Sequence, residues 1–184
     1  MIRRLLLLLP LLITATAGYG QGATKHPHYI DDEKFMRAFE KAIRKLAEDG
    51  KGTKGKELNN QLNRKTCDIP PAPPSAAVLA PEEIYTGCSG GVMAICSAFK
   101  SETSGDWEAG EPATAWVLTP EGVMVTNYHV FAEAAKEEVF GVMSRDGGFF
   151  PVTEILAADK LNDVAIFKIH AKGLQPLALG ADEA

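Results

Sequence analysis

Cysteine is scarce in this sequence. Three occur in 184 residues, at positions 67, 88 and 96, with no C-x-x-C pair among them. That excludes the ligand spacing of a zinc site and the density of a disulfide framework. The spacing leaves pairing open: one bridge plus one buried thiol fits Cys67, Cys88 and Cys96 as well as three thiols do. No apolar run approaches the roughly 20 residues that a membrane-spanning helix needs. Basic residues are few beyond residue 65, where six Lys/Arg stand against seventeen Asp/Glu. Such an acidic stretch repels nucleic acid and anionic membrane surfaces and argues against both as partners. Residues 25–65 are mildly basic, eleven Lys/Arg to seven Asp/Glu, which reads as a solvated helix face.

The N-terminus has the composition of an export signal. Arg3 and Arg4 precede the apolar run 5–13, and Ala15-Thr16-Ala17 supplies a small-X-small cleavage site. Residues 1–17 are therefore expected to direct the chain to the periplasm or out of the cell, with no membrane role beyond that signal. Residues 18–80 read as an arm. Within it, Phe35, Phe39, Ile43 and Leu46 fall on one stripe of a helix spanning about 31–49, with Asp31 or Asp32 able to cap its start and Gly50 its end. The stripe can dock on its own protein, the preferred reading, on a partner helix, or on a second copy in a homo-oligomer.

Residues 50–57, GKGTKGKE, have the Gly-x₄-Gly-Lys spacing of a phosphate-binding loop. Glu57 stands where that loop needs Ser or Thr, and the stretch follows a helix rather than a strand. It reads as a flexible linker. Residues 69–81, IPPAPPSAAVLAP, read as an extended Pro-rich boundary, so the arm is expected to be dispensable apart from its helix. No cofactor or metal is expected.

From residue 81 the pattern turns to short β-like runs: 91–99, 113–118, 123–126, 138–143, 149–157, 163–169, and a last apolar run at 174–179. T-P-E-G joins the second and third, and R-D-G-G joins the fourth and fifth as a hairpin. Six or seven strands at this spacing predict an all-β domain over 81–184, an antiparallel barrel preceded by a short helical arm.

Two residues stand out chemically. His129 follows a strand in VMVTNYHVFAEA, and Asp163 precedes one in AADKLNDVAIFKI. Alone, the first is commonly a structural histidine and the second a turn residue. Together they can form an Asp–His hydrogen bond, which fixes the imidazole tautomer and stabilises the imidazolium. A third candidate is Ser89, in G-C-S-G-G, a spelling shared with many serine-nucleophile loops.

In these motifs the sequence resembles the trypsin-like serine proteases, and within them the HtrA/DegP-like branch. T-P-E-G-V-M-V-T-N-Y-H-V is similar to that family's strand–turn–strand leading to the catalytic His, N-D-V-A-I-F-K-I to its catalytic-Asp segment, and L-Q-P-L-A-L-G to the run that follows. The resemblance implies that residues 82–184 form the first barrel of a protease, with His129 as general base and Asp163 as its orienting partner. Ala113-Thr114-Ala115-Trp116 replaces a Gly-rich segment of the family, which a strand tolerates. The family's order His–Asp–Ser implies that the nucleophile, Ser or Cys, belongs to a second barrel not found after Gly180, so the chain reads as truncated. Ser89 is then a look-alike before the first strand. The implied activity is hydrolysis of polypeptides by a serine-type endopeptidase; the alternative is a non-catalytic half-protease that serves as a binding module.

Overall fold

The computed structural model describes residues 31–70 and 79–180. The expected export signal and most of the Pro-rich stretch lie outside the described residues. Seven strands follow one another: β1 (Val92–Lys100), β2 (Trp107–Ala109), β3 (Ala113–Thr119), β4 (Val123–Thr126), β5 (Val139–Met143), β6 (Phe149–Asp159) and β7 (Val164–Ile169). Six of them close into an antiparallel barrel in the order β1-β3-β4-β7-β6-β5, with β5 pairing back onto β1. Strand β2 is the additional one and pairs with the C-terminal part of β1. The antiparallel barrel of six or seven strands expected from the sequence is thus present, as six strands plus one.

Alternation builds the interior. Ala165, Phe167 and Ile169 of β7 point inward with Met124 of β4, Val117 of β3 and Ile95 of β1, all fully buried. Both turn signals hold. Gly122 (φ +88°) donates its N–H to Thr119 O at 3.1 Å, and Gly147 (φ +90°) donates to Ser144 O at 2.9 Å; glycine adopts such left-handed φ values without steric cost. Register shifts near residues 153 and 156 let β6 bend, so that one strand pairs with β5 at its start and with β7 along its length.

The run 174–179 is not a strand. Leu177 N–H bonds Val117 O at 2.9 Å, but Pro176 has no N–H to extend a ladder. Short elements not anticipated include β2 and a helix α3 (Pro81–Cys88), where only the start of the β-region was expected. Pro81 opens α3, and the Glu83 carboxylate accepts the Ala80 N–H at 2.8 Å.

The helix predicted at 31–49 is α1 (Asp32–Glu48). Asp31 caps it by accepting the Lys34 N–H at 3.0 Å. At its end Gly50 (φ +66°) and Lys51 donate to Ala47 O and Leu46 O, the paired bonds of a Schellman ending. Its stripe docks on its own barrel: Phe39 and Ile43 are fully buried against Cys96, Ala98, Val139 and Met143. Gly141 of β5 makes room, since a Cβ there would lie 3.2 Å from the Ile43 Cδ1.

The linker reading of residues 50–57 is corrected. Lys54 forms an antiparallel bridge with Val139, Gly55 N–H bonds Glu138 O at 2.6 Å, and Gly55–Gln61 is a helix, α2. Leu58 and Leu62, four residues apart, enter the main barrel core at 0% and 5% exposure. Gln61 Oε1 accepts the Ile155 N–H at 2.7 Å. The physical reason is that a barrel leaves an open end, and this turn of helix closes it. Residues 54–62 of the arm therefore pack against the barrel.

Candidate active site

His129 owes its position to its neighbours in sequence. Strand β4 is buried along its whole length, and Thr126 Oγ1 donates to Thr114 O at 2.8 Å, fixing where the strand ends. Asn127 and Tyr128 lead into one helical turn, α4 (His129–Ala132). Phe131 drives that turn into the core. It is fully buried, with its ring 4.9 Å from that of Phe140 and 5.6 Å from that of Phe167. Burying such a side chain stabilises by about 1.5–3 kcal/mol, enough to hold a turn this short. Helix α2 braces it from beneath, where Asn59 Nδ2 donates to Ala132 O at 3.0 Å.

Asp163 arrives from the β6–β7 turn. Asp159 organises that turn by accepting the N–H groups of Leu161 (2.9 Å) and Asn162 (3.3 Å). Asp163 itself has φ +53°, the sole positive φ on a non-glycine among the described residues. Strands β4 and β7 pair at Thr126↔Ala165, so the residues just beyond β4 and just before β7 meet at the same barrel end.

Asp163 Oδ2 lies 2.8 Å from His129 Nδ1, and Oδ1 accepts the His129 backbone N–H at 2.9 Å. One carboxylate thus grips both the ring and the main chain of the histidine. An ionised carboxylate only accepts hydrogen bonds, so in the neutral imidazole Nδ1 carries the proton and Nε2 keeps its lone pair. The His129 backbone N–H holds the Asp163 carboxyl below the usual aspartate value of 3.8; partial desolvation opposes this, while the His129 ring and the Asn127 amide reinforce it. The His129 side chain is 71% exposed and that of Asp163 43%, so the pair opens to solvent. The geometry provides a proton acceptor with its tautomer set.

Sequence reasoning missed Asn127. Its Nδ2 donates to Asp163 Oδ2 at 3.1 Å and to Asp163 O at 3.2 Å. The available signal was a carboxamide two residues before His129.

Ser89 lies elsewhere. Val92 pairs with Trp116, which pairs with Val125. Running back from Val92 along antiparallel β1 leads toward the Thr119–Gly122 turn, whereas running on from Val125 leads to His129 at the opposite end. Among the described residues no hydrogen bond joins Ser89 to His129. Packing accounts for the glycines that follow it: a Cβ on Gly91 would lie 2.6 Å from the Leu177 Cδ2, and one on Gly90 would lie 2.5 Å from the Gln175 Oε1. A cleft of about 580 Å³ opens there, lined in part by Ser89, Met93, Arg145 and Phe150; neither His129 nor Asp163 lines it.

Among the described residues no group of three or more His, Cys, Asp or Glu side chains could hold a metal ion. No curated protein matches the chain. Residues 113–184 match the family described as Trypsin-like peptidase domain. The stretch from β3 onward, which carries both His129 and Asp163, is therefore similar in sequence to a trypsin-like peptidase domain.

Proposed function

We propose that the chain is the His–Asp half of an exported, HtrA-like serine endopeptidase acting on polypeptides. The observation that carries this reading is the 2.8 Å contact between Asp163 Oδ2 and His129 Nδ1 in the region similar to a trypsin-like peptidase. In the proposed reaction His129 Nε2 takes the proton of a serine hydroxyl as its oxygen adds to the peptide carbonyl. Asp163 stabilises the resulting imidazolium. The imidazolium then gives that proton to the departing amine, leaving an acyl-enzyme. Water, deprotonated by the same nitrogen, releases the acid and restores the serine. The nucleophile and the oxyanion donors come from a second barrel outside the described residues. The wide exposure of His129 is what a face that such a half would cover should have. Export is supported by the signal-like N-terminus.

The test is labelling by a fluorophosphonate serine probe. The chain expressed with its natural downstream sequence should label and hydrolyse peptides, and His129→Ala should abolish both. Ser89→Ala should leave labelling intact. Labelling of the 184-residue chain alone that is lost in Ser89→Ala would overturn the assignment.

A further inference from the structure

Asp163 is held in a backbone conformation that L-residues adopt rarely, φ +53°. Such a conformation persists where the surroundings over-determine it. Asp159 pins the turn from the N-terminal side through Leu161 and Asn162. On the other side the tie is Asn127, whose Nδ2 bonds the Asp163 main-chain carbonyl at 3.2 Å and its Oδ2 at 3.1 Å. An amide NH₂ has two protons, one for each of these acceptors. Asn127 therefore fixes both the peptide orientation and the rotation of the carboxylate about its Cβ–Cγ bond.

That rotation decides which oxygen meets which part of His129. Oδ1 must face the backbone N–H and Oδ2 the ring nitrogen, and Oδ2 is the oxygen that Asn127 also holds. Asn127 is exposed and buries nothing in the core, so its bonds serve this arrangement rather than the packing of the barrel.

We infer that Asn127 is a positioning residue that locks the Asp163 carboxylate and thereby selects the Nδ1–H tautomer of His129. The role rests on reading His129 and Asp163 as the proton-transfer pair. The test uses the 184-residue chain, ¹⁵N-labelled at histidine and ¹³C-labelled at the aspartate carboxyls. Imidazole ¹⁵N shifts report the tautomer, and the carboxyl shift of Asp163 reports its titration. The unsubstituted chain should hold neutral His129 as Nδ1–H. Asn127→Ala should lose that preference and raise the Asp163 midpoint. Asn127→Asp, which keeps the shape but replaces the donor by a like charge, should raise it further, and Asn127→Ser tests a shorter donor. Any loss of heat stability should appear at neutral pH and vanish once Asp163 is protonated in acid, which a purely structural role would not give. An unaltered tautomer and midpoint in Asn127→Ala and Asn127→Asp would overturn the inference. The measurement needs no nucleophile, so failure of the extended protein to label with the probe would sink the peptidase reading alone.

Discussion

Leu58→Ala tests whether the N-terminal arm is part of the barrel. Leu58 is fully buried in the main core, on a helix whose sequence, GKELNNQ, has little helical character of its own. The substitution removes three carbon atoms from that core, about 2.4 kcal/mol at about 0.8 kcal/mol each. If half of the vacated volume persists, roughly 40 Å³, the cavity adds about 1 kcal/mol at about 24 cal/mol per Å³. The expected loss is thus about 3.4 kcal/mol. With a urea slope of about 2 kcal/mol/M, the unfolding midpoint should fall by about 1.7 M. Urea titration followed by far-ultraviolet circular dichroism measures this directly. Gly55→Ala should act in the same direction, because a Cβ there would run into the Ala135 carbonyl oxygen, beyond α4. A Leu58→Ala midpoint within about 0.25 M of the parent, about 0.5 kcal/mol and the range of an ordinary surface change, would refute the reasoning and return the arm to the status of a tether.

Other consequences can be checked with simple measurements. Asp163, Asp159, Asp146 and Asp49 all have folded-state pKa values below 3.8, Asp163 chiefly through the His129 N–H and Asp159 chiefly through Asn162. Their contribution is fully present above the unfolded value and is lost as pH falls through the depressed folded values. Stability should therefore decline below about pH 3.8, and the gap between the parent chain and Asp163→Asn should close in that same acid window; a gap independent of pH would contradict it. Gly122→Ala should destabilise by about 1–3 kcal/mol on the usual cost of such strain. Its Cβ would sit 2.6 Å from Ile169 O at φ +88°, and an unchanged melting temperature would refute this. Burial raises the Cys96 thiol pKa to about 11, so Cys96 should react with a thiol reagent at pH 8 far more slowly than Cys67 and Cys88. Equal rates for all three would show that the α1 cover opens freely.

The strands that carry the site were legible because each alternates cleanly or is bounded by a turn that only certain residues make. T-P-E-G and R-D-G-G placed glycines where φ is positive, and the hairpins followed. His129 and Asp163 were legible as a pair because each flanks a strand, and β4 and β7 proved adjacent. Helix α2 was hidden because two leucines make no periodic stripe; its stability comes from the barrel opening it fills. Strand β2 has three residues, too few for any alternation. Asn127 was hidden for another reason: its partner is the left-handed peptide of Asp163, which no linear spacing reveals. The apolar run 174–179 promised a strand because its leucines outweighed Pro176, yet one missing N–H suffices to stop a ladder.

The order of strands around the ring has a consequence for how the chain folds. Strand β7 is the last of the seven in sequence, yet it lies between β4 and β6. The ring stays open until residues 164–169 take their place, with the β4 and β6 edges both unpaired. Such edges are templates for aggregation, so a chain lacking β7 should aggregate. Asp163 immediately precedes that wedge, so the carboxylate reaches His129 only as the ring is sealed. Completion of the barrel and assembly of the proton-accepting pair are one event in folding.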